Sequence, residues 1–258
     1  MAKPTTPQPE ETGLVKTEDM GVSTMPDYLK KEGPGKGNEN VQTEDLVIPR
    51  LGIIQDLSPQ LDADDAEKFI PGAKVGMLFN SLTKELYDSV LLCNLFFRKE
   101  WTVFVKRKAG GGFRGAYPSE AEAVAAVEAS DSPQDMEVVE TGQHFCLLLS
   151  GPVEQKVLGE VVVSCTITKL KVSRNWNSLI RLRGGDRYAG TWHLGVVKEK
   201  NKAGQPYRNF AVSPGPWVKE EVFKLAEFTY SEILSGKKDV ERTSDDVDLV
   251  HEDGDGKF

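Results

Sequence analysis

The chain has 258 residues, of which 39% are hydrophobic and 28% charged, a composition that is ordinary for a folded domain. Its 32 basic and 40 acidic side chains give a formal net charge of -8, which taken alone argues against a nucleic-acid partner. No run approaches the ~20 consecutive apolar residues that a membrane span needs, and the first residues lack the apolar stretch of a signal peptide, so we expect a cytoplasmic protein without membrane contact.

The cysteines and histidines do not have the spacing of a metal site or a disulfide framework. Cys93, Cys146 and Cys165 each lie alone within an apolar run, so we expect three buried thiols. The three histidines are scattered. Since the sequence also lacks the G-x-S-x-G, H-E-x-x-H and P-loop motifs, we predict neither a cofactor nor an enzymatic activity.

Three regions follow one another along the chain. Residues 1–45 are rich in Pro, Gly, Thr and Glu without helical or strand periodicity, which predicts a disordered N-terminal arm. Residues 46–236 carry the apolar runs and form the predicted domain. Residues 237–258 are acidic and are expected to be a disordered tail.

The predicted strands begin at 46–54, where Pro49 indicates an edge or a bend. A polar turn separates the apolar runs 73–79 and 89–97, and a loop rich in Asn, Gly and Pro separates 191–197 from 207–213, as in β-hairpins. The run 101–105 follows 89–97, and together they predict a long bent strand. The remaining strand candidates are 136–140, 144–150 and 159–170.

Residues 119–130 predict a helix, because Ser119 can cap it and Glu122 completes a capping box. A final amphipathic helix over 217–236 should end at Gly236.

The segment 172–182 is compatible with a strand or a helix. Trp176, Leu179 and Ile180 at helical spacing favour a helix capped by Ser173.

Many short strands, few helices and no regular alternation of the two indicate a mainly β, α+β domain with an antiparallel sheet or barrel. A small Greek-key barrel of the OB type, with one or two inserted helices and a C-terminal helix, fits the pattern best. Such a barrel leaves one face open as a groove.

The net charge conceals two strongly basic blocks, at 98–114 and 169–208. The acidic residues lie elsewhere, in the arm, at 62–67, at 120–140 and in the tail. A polarised chain of this kind can present a cationic surface to a polyanion despite its net charge.

In the first block, a strand with Trp101 and Phe104 enters a glycine-rich loop that carries Phe113 and Arg114. Cations that neutralise phosphates, rings that stack on unpaired bases and a glycine backbone that follows an irregular ligand are typical of loops that bind single-stranded nucleic acid. A plain surface loop with solvated charges is the alternative reading of the same residues.

Gly110, Gly112 and Gly115 also spell G-x-G-x-x-G after a strand, as in dinucleotide-binding proteins. Tyr117 and Pro118 separate these glycines from the next helix, so its amides would not face a pyrophosphate. A nucleotide-binding enzyme built on this loop is therefore the weaker interpretation.

The second block interleaves cations with aromatic side chains. We expect Trp176 and Trp192 to lie in the core, whereas Tyr188 and Tyr207, near predicted turns, are candidates for base stacking. The candidate nucleic-acid contacts of both blocks together are Arg98, Lys99, Trp101, Lys106, Arg107, Lys108, Phe113, Arg114, Lys169, Lys171, Arg174, Arg181, Arg183, Arg187, Tyr188, Lys200, Lys202, Tyr207 and Arg208.

The chain ends on SDDVDLVHEDGDGKF, an acidic segment with a terminal phenylalanine. A flexible arm, a β-rich core with interleaved rings and cations, and such a tail resemble the phage-encoded single-stranded DNA-binding proteins and, more distantly, the bacterial ones. The stretches VIPRLGIIQDLSPQ, GGGFRG and SRNWNSLI are also similar to a group of uncharacterised phage replication proteins.

The resemblance implies an OB-fold that binds single-stranded DNA without sequence preference during replication or recombination in the host cytoplasm. It also implies that the tail contacts replication or recombination proteins. From its charge we hypothesise in addition that the tail competes with DNA for the basic groove. The tail residues concerned are Asp245, Asp246, Asp248, Glu252, Asp253, Asp255 and Phe258.

Gly254, Gly256 and Lys257 interrupt the acidic run in a way that departs from that pattern. A solubilising extension is the other reading of the tail, a phage structural or assembly protein is the alternative function, and self-association into a homo-oligomer is left open.

Overall fold

The computed structural model describes residues 47–201 and 204–235, together with Gly37, Asn40 and Val41. The chain divides into two units, Met1–Val41 and Gln42–Phe258, and the elements below belong to the second. The predicted tail and nearly all of the predicted arm lie outside the described residues, so both remain predictions.

The described part of the chain contains nine strands and three α-helices. The strands are β1 (Leu51–Ile53), β2 (Leu78–Asn80), β3 (Leu86–Tyr87), β4 (Val90–Val105), β5 (Phe113–Tyr117), β6 (Met136–Leu149), β7 (Val157–Thr166), β8 (Gly190–Lys200) and β9 (Pro206–Trp217). The helices are α1 (Glu120–Glu128), α2 (Leu170–Arg183) and α3 (Glu220–Leu234).

Six strands form one antiparallel sheet with the order β7-β6-β4-β8-β9, and β5 pairs with β4 beyond the end of β8. A smaller sheet of three strands has the order β1-β2-β3. The predicted class, mainly β with antiparallel pairing and a few helices, is confirmed. In the described residues the large sheet does not close into a barrel, because β7 and β9 are its two ends rather than neighbours.

The two longest strands, β4 and β6, are each continuous. For β4 the sequence predicts one long bent strand, whereas for β6 it predicts two shorter strands. A charged triplet that begins at Arg98 lies between the two apolar runs of β4. Lys99 and Glu100 point to opposite faces of the sheet, so Lys99 is exposed while the buried Glu100 accepts a hydrogen bond from Gln143 Nε2 at 3.1 Å. A charged residue therefore sits within the strand without breaking it.

Both faces of the large sheet are covered by apolar cores. One core joins the sheet to α2 and the small sheet through side chains such as Leu78, Leu92 and Trp176. The other joins the opposite face to α3 through Phe145, Val222 and others. The three cysteines are buried, as predicted.

The local signals for the helices are confirmed in part. Ser119 Oγ accepts a hydrogen bond from the amide of Glu122, which confirms the predicted cap. The Glu122 carboxylate accepts from the Ser119 hydroxyl, whereas in a capping box it would accept from the Ser119 backbone amide. Helix α2, by contrast, begins at Leu170 after a 3-10 turn, so the predicted cap at Ser173 is wrong. Ser173 lies within the helix and is buried.

The segment that contains β1 lies between the two ends of the large sheet. At one end Arg50 forms a parallel bridge with Val162 of β7. At the other end the side-chain amide of Gln55 donates to the Arg208 carbonyl of β9 and accepts from the Arg208 amide, both at 2.9 Å. This segment therefore contacts both strands that would have to pair in a closed barrel.

Candidate functional site

A cleft of about 600 Å³ opens between the start of α2 and the β8–β9 hairpin. Four of its lining residues, Lys171, Arg174, Lys200 and Tyr207, were predicted as nucleic-acid contacts from the sequence. The others are Ile167, Thr168, Leu170 and Glu199. The structure therefore brings together residues that are separated by up to 36 positions in the sequence, which is the distance from Lys171 to Tyr207.

The periodicity of α2 places its cations at the cleft. Ser173, Trp176 and Ile180 are buried against the sheet, so Lys171 and Arg174 are on the exposed side. The first turn of α2 contains no acidic residue and no side-chain cap. The helix thus presents its positive end together with two positive side chains to the same opening.

The hairpin side of the cleft is ordered by a carboxylate. Glu199 lies opposite Tyr207 in the β8–β9 register. Glu199 Oε2 accepts hydrogen bonds from Tyr207 Oη at 2.5 Å and from Asn209 Nδ2 at 3.0 Å. These hydrogen bonds lower the pKa of Glu199, and the bond to Glu199 raises the pKa of Tyr207. Glu199 is therefore charged and Tyr207 neutral at physiological pH.

Arg174 connects the cleft to the first basic block. Its Nη2 lies 3.4 Å from Glu140 Oε2, and Lys99 Nζ lies 3.0 Å from Glu140 Oε1. Lys99 Nζ is also 5.2 Å from the ring centroid of Trp101, which is half-buried. Cations of the two predicted blocks thus meet on the face of the sheet that carries α2.

We call this region the cationic surface. It consists of Lys99, Trp101, Lys171, Arg174, Lys200 and Tyr207. Glu140 and Glu199 lie within it and offset part of its charge.

A buried polar network anchors α2 beneath the cationic surface. Arg187 Nη1 donates to Asn94 Oδ1 at 2.9 Å, which orients the Asn94 amide so that its Nδ2 donates to His144 Nδ1 at 3.0 Å. His144 Nε2 then carries the proton and donates to Ser173 Oγ of α2 at 2.8 Å. The His144 ring also stacks on Trp176, with 4.4 Å between centroids. Burial, with a contribution from Arg187, lowers the pKa of His144 to about 3.

Several predicted contacts are instead used inside the fold. Arg183 donates to the Gly215 and Thr191 carbonyls, and its guanidinium lies 4.1 Å from the ring centroid of Trp217. Arg187 belongs to the buried network and donates to Asn177 as well. These two side chains therefore join elements of the fold to one another.

Three further candidates lie away from the cationic surface or in the core. Tyr188 is 9% exposed and contacts two aromatic rings of α3, so it is not placed for base stacking. Arg98 projects from the opposite face of β4, with its guanidinium 5.1 Å from the Phe145 ring centroid. The backbone of Arg208 is held by Gln55, and its Nε is buried.

Two other cations flank the region. Lys169 Nζ lies 5.1 Å from the ring centroid of Phe210, just before α2 begins. Arg181 is exposed near the other end of α2.

The basic loop between β4 and β5 is separate from the cleft residues. Lys106, Lys108 and Arg114 are exposed there, while the Phe113 ring packs edge-on against Phe104. Gly110, Gly111 and Gly112 all have positive φ values, between 68° and 119°, which explains the run of glycines. The backbone of Arg107 forms part of a 3-10 turn in this loop.

The glycines of this loop do not open a helix. Gly115 lies inside β5, and α1 begins at Glu120 after Ser119. No amide of the α1 N-terminus therefore adjoins Gly110 or Gly112 in sequence, in contrast to a dinucleotide-binding turn.

Lys202 and the acidic tail residues from Asp245 to Phe258 lie outside the described residues. Glu199 and Glu140 were not among the predicted site residues. The predicted strands end at 197 and resume at 207, so counting outward from that loop pairs Val197 with Tyr207 and leaves Glu199 in the loop. Only the observed register, in which β8 extends to Lys200, places Glu199 opposite Tyr207. The contact of Glu140 with Arg174 depends on where α2 packs, which the local sequence does not indicate.

Within 47–201 and 204–235, no group of three or more His, Cys, Asp or Glu side chains is arranged to hold a metal ion. None of the helices found there combines the length and the apolar character that a membrane crossing requires.

Comparison with known proteins identifies a phage family. No curated protein and no solved structure matches the chain. A family model described as Pam3 phage gp34-like protein matches residues 16–239, which includes every strand and helix described above. The chain therefore belongs to the Pam3 phage gp34-like protein family.

Proposed function

We propose that this phage protein binds single-stranded DNA with little dependence on sequence and acts in phage DNA replication or recombination in the host cytoplasm. The observation that carries the proposal is the cationic surface, on which residues of two distant basic blocks meet beside a cleft. Affinity for a polyanion depends on such a local arrangement of cations and not on net charge.

The chemistry of the surface suits an unpaired strand. Lys171, Arg174 and Lys200 supply positive charge for successive phosphates, and the ring of Tyr207 is half-exposed in the same cleft. Trp101 offers a second half-exposed ring beside Lys99. Base-to-ring stacking tolerates any sequence, because every base has an aromatic face, and is worth about 1–3 kcal/mol per base.

The finer fold assignment, an OB-like domain, belongs to the same proposal. The contacts of the β1 segment with β7 and β9 support it, since a first strand that touches both ends of a curved sheet is what an incompletely closed five-stranded barrel requires.

For the tail we propose competition with DNA. Its acidic residues would rest on the cationic surface until a strand displaces them and would then present Phe258 to replication or recombination proteins. A strand that releases many counterions outcompetes a short peptide of lower charge density at moderate salt. A chain ending at Gly236 should bind oligo-dT more tightly than the full chain at low salt, and equal affinities would refute the competition.

The proposed function is tested by comparing a labelled single strand with a duplex of the same length over a range of salt concentrations. We expect preference for the single strand and a steep loss of affinity as salt rises. Equal and salt-insensitive binding would refute the proposal and favour a structural or assembly protein.

Tryptophan fluorescence locates the contact. Trp176 and Trp192 are each 1% exposed and cannot stack on a base, so quenching by oligo-dT should be lost in Trp101→Phe. Trp217→Phe is the matched control, because Trp217 is 56% exposed but stacks on Arg183 at the far end of α2. Quenching that disappears only in the control would place the strand elsewhere.

A further inference from the structure

We infer that the cleft distinguishes between bases: Glu199 accepts a hydrogen bond from an exocyclic amino group, so that cytosine or adenine is favoured over thymine at this one position. The inference rests on the proposed function and adds a local preference to a strand contact that otherwise depends on phosphates and stacking.

A carboxylate in a site for phosphates has an electrostatic cost. Glu199 lines the same cleft as Lys171, Arg174 and Lys200, where its negative charge opposes the binding of a polyanion. The presence of a carboxylate in such a place is explained if it accepts a hydrogen bond from a group of the strand other than the phosphate. A strand offers two kinds of group for it, the amino groups of bases and the hydroxyls of sugars.

The hydrogen bonds around Glu199 leave one oxygen available. Tyr207 Oη and Asn209 Nδ2 both donate to Oε2. The orientation of the Asn209 amide is itself fixed, because its Oδ1 accepts from the Phe210 amide at 2.9 Å. Glu199 Oε1 has no hydrogen-bond partner among the described residues, although the carboxylate is held in place. It is thus an ordered acceptor in the cleft.

The other acidic residue of the cationic surface is different. Both oxygens of Glu140 are engaged, Oε1 by Lys99 and Oε2 by Arg174. Both acidic residues thus have partners within the protein, since Glu199 is bonded to Tyr207 and Asn209 and lies near the charge of Lys171. Glu199 differs from Glu140 in keeping one carboxylate oxygen without a hydrogen bond from the described residues, and Glu140 therefore serves as the comparison.

The geometry links the acceptor to a base and not to the phosphate backbone. Tyr207 donates its hydroxyl to Glu199, so the stacking ring and the carboxylate are joined side by side on the hairpin. A base that stacks on Tyr207 brings its edge near this pair. Cytosine and adenine present an amino group on that edge, whereas thymine presents carbonyl oxygens on both sides of its single N–H, which a carboxylate repels.

The test compares oligo-dC with oligo-dT of equal length, near pH 8 and at one salt concentration, by anisotropy of a labelled strand. We expect the wild-type chain to bind oligo-dC about three- to tenfold more tightly, which is the net value of one ordinary hydrogen bond at a solvent-accessible site. The decisive variant is Glu199→Gln. Because Tyr207 and Asn209 both donate, the amide oxygen takes the place of Oε2 and the NH2 group faces the cleft, where it can donate to a thymine carbonyl.

Glu199→Gln should therefore reduce or reverse the ratio of the two affinities, while Glu140→Gln should raise both affinities and leave their ratio unchanged. The inference is overturned if Glu199→Gln keeps the wild-type ratio, or if Glu140→Gln changes the ratio equally. The third strand tested is an oligo-C of the same length with ribose sugars. If the wild type binds this strand more tightly than oligo-dC and Glu199→Gln does not, the acceptor binds the 2′-hydroxyl and the base inference is wrong.

The two proposals fail in distinguishable ways. If none of these strands binds, the proposed function itself fails. If all of them bind with steep salt dependence but without a ratio that depends on Glu199, the proposed function stands and only the inference on base preference is lost.

Discussion

Removal of two cations from the cleft should weaken strand binding by an amount that can be calculated. Lys171 and Lys200 are exposed and lie on the two opposite walls of the cleft, one on α2 and one at the end of β8. If each neutralises one phosphate, the double substitution Lys171→Ala with Lys200→Ala removes two contacts. Neither side chain contributes to an apolar core, so the fold should be retained.

The size of the effect follows from counterion release. For single strands the logarithm of the affinity falls with the logarithm of salt concentration by about 0.7 for each phosphate neutralised. The double variant should therefore have a slope that is smaller by about 1.4. At about 0.1 M salt, tenfold below a reference of about 1 M, the affinity should be lower by about 25-fold.

The assay is a salt titration of a labelled oligonucleotide, followed by anisotropy. Lys224→Ala is the matched control, because Lys224 is an exposed lysine of α3, paired with Glu220 at 2.6 Å, and α3 covers the opposite face of the sheet. An unchanged slope in the double variant, or an equal reduction in the control, would show that the strand does not cross the cleft.

Three predictions concern the support of the site. Because burial lowers the pKa of His144 to about 3 from an ordinary 6.5, stability should fall as pH decreases from about 6.5 towards 3, by up to about 1.4 kcal/mol per pH unit. His144→Gln should flatten this part of a denaturation profile, and an unchanged profile would contradict the assignment. Gly142→Ala should destabilise the protein by about 1–3 kcal/mol, measured by urea denaturation, because its Cβ would lie 2.9 Å from Ser173 Oγ. Arg183→Ala should lower the melting temperature while leaving the salt slope of DNA binding unchanged, since its guanidinium is bound to carbonyls of the fold; a loss of affinity without a loss of stability would contradict this assignment.

The elements that the sequence predicted well are those with a local signal. The cap at Ser119 locates α1, and the predicted loop over 198–206 locates the β8–β9 hairpin, although the strands extend further towards the turn than predicted. The start of α2 was placed wrongly because Ser173 fits the pattern of a cap, whereas its hydroxyl is in fact bound by His144, 29 residues earlier. A long-range hydrogen bond of this kind leaves no mark on the local sequence.

The composition of the two basic blocks predicted which residues are candidates for the site, and the structure shows which of them lie on the cationic surface. The two basic blocks contain the cations of the cationic surface, but they also contain Arg183 and Arg187, which bind carbonyl and amide oxygens of the fold. The sequence does not distinguish an arginine whose guanidinium joins elements of the fold from one whose guanidinium faces solvent. Both Arg174 and Arg183 lie on α2, and the packing of this helix on the sheet gives them different roles.

The attachment of Gln55 to β9 has a consequence for how the molecule behaves in a crowded cell. An uncovered outer strand offers its amides and carbonyls to any other chain, which is a route to aggregation. At Arg208 this route is closed by a side chain that imitates a neighbouring strand, because one primary amide satisfies both backbone groups. A leucine in place of Gln55 would expose these two groups again, so we expect the protein to depend on this residue for remaining dispersed at high concentration.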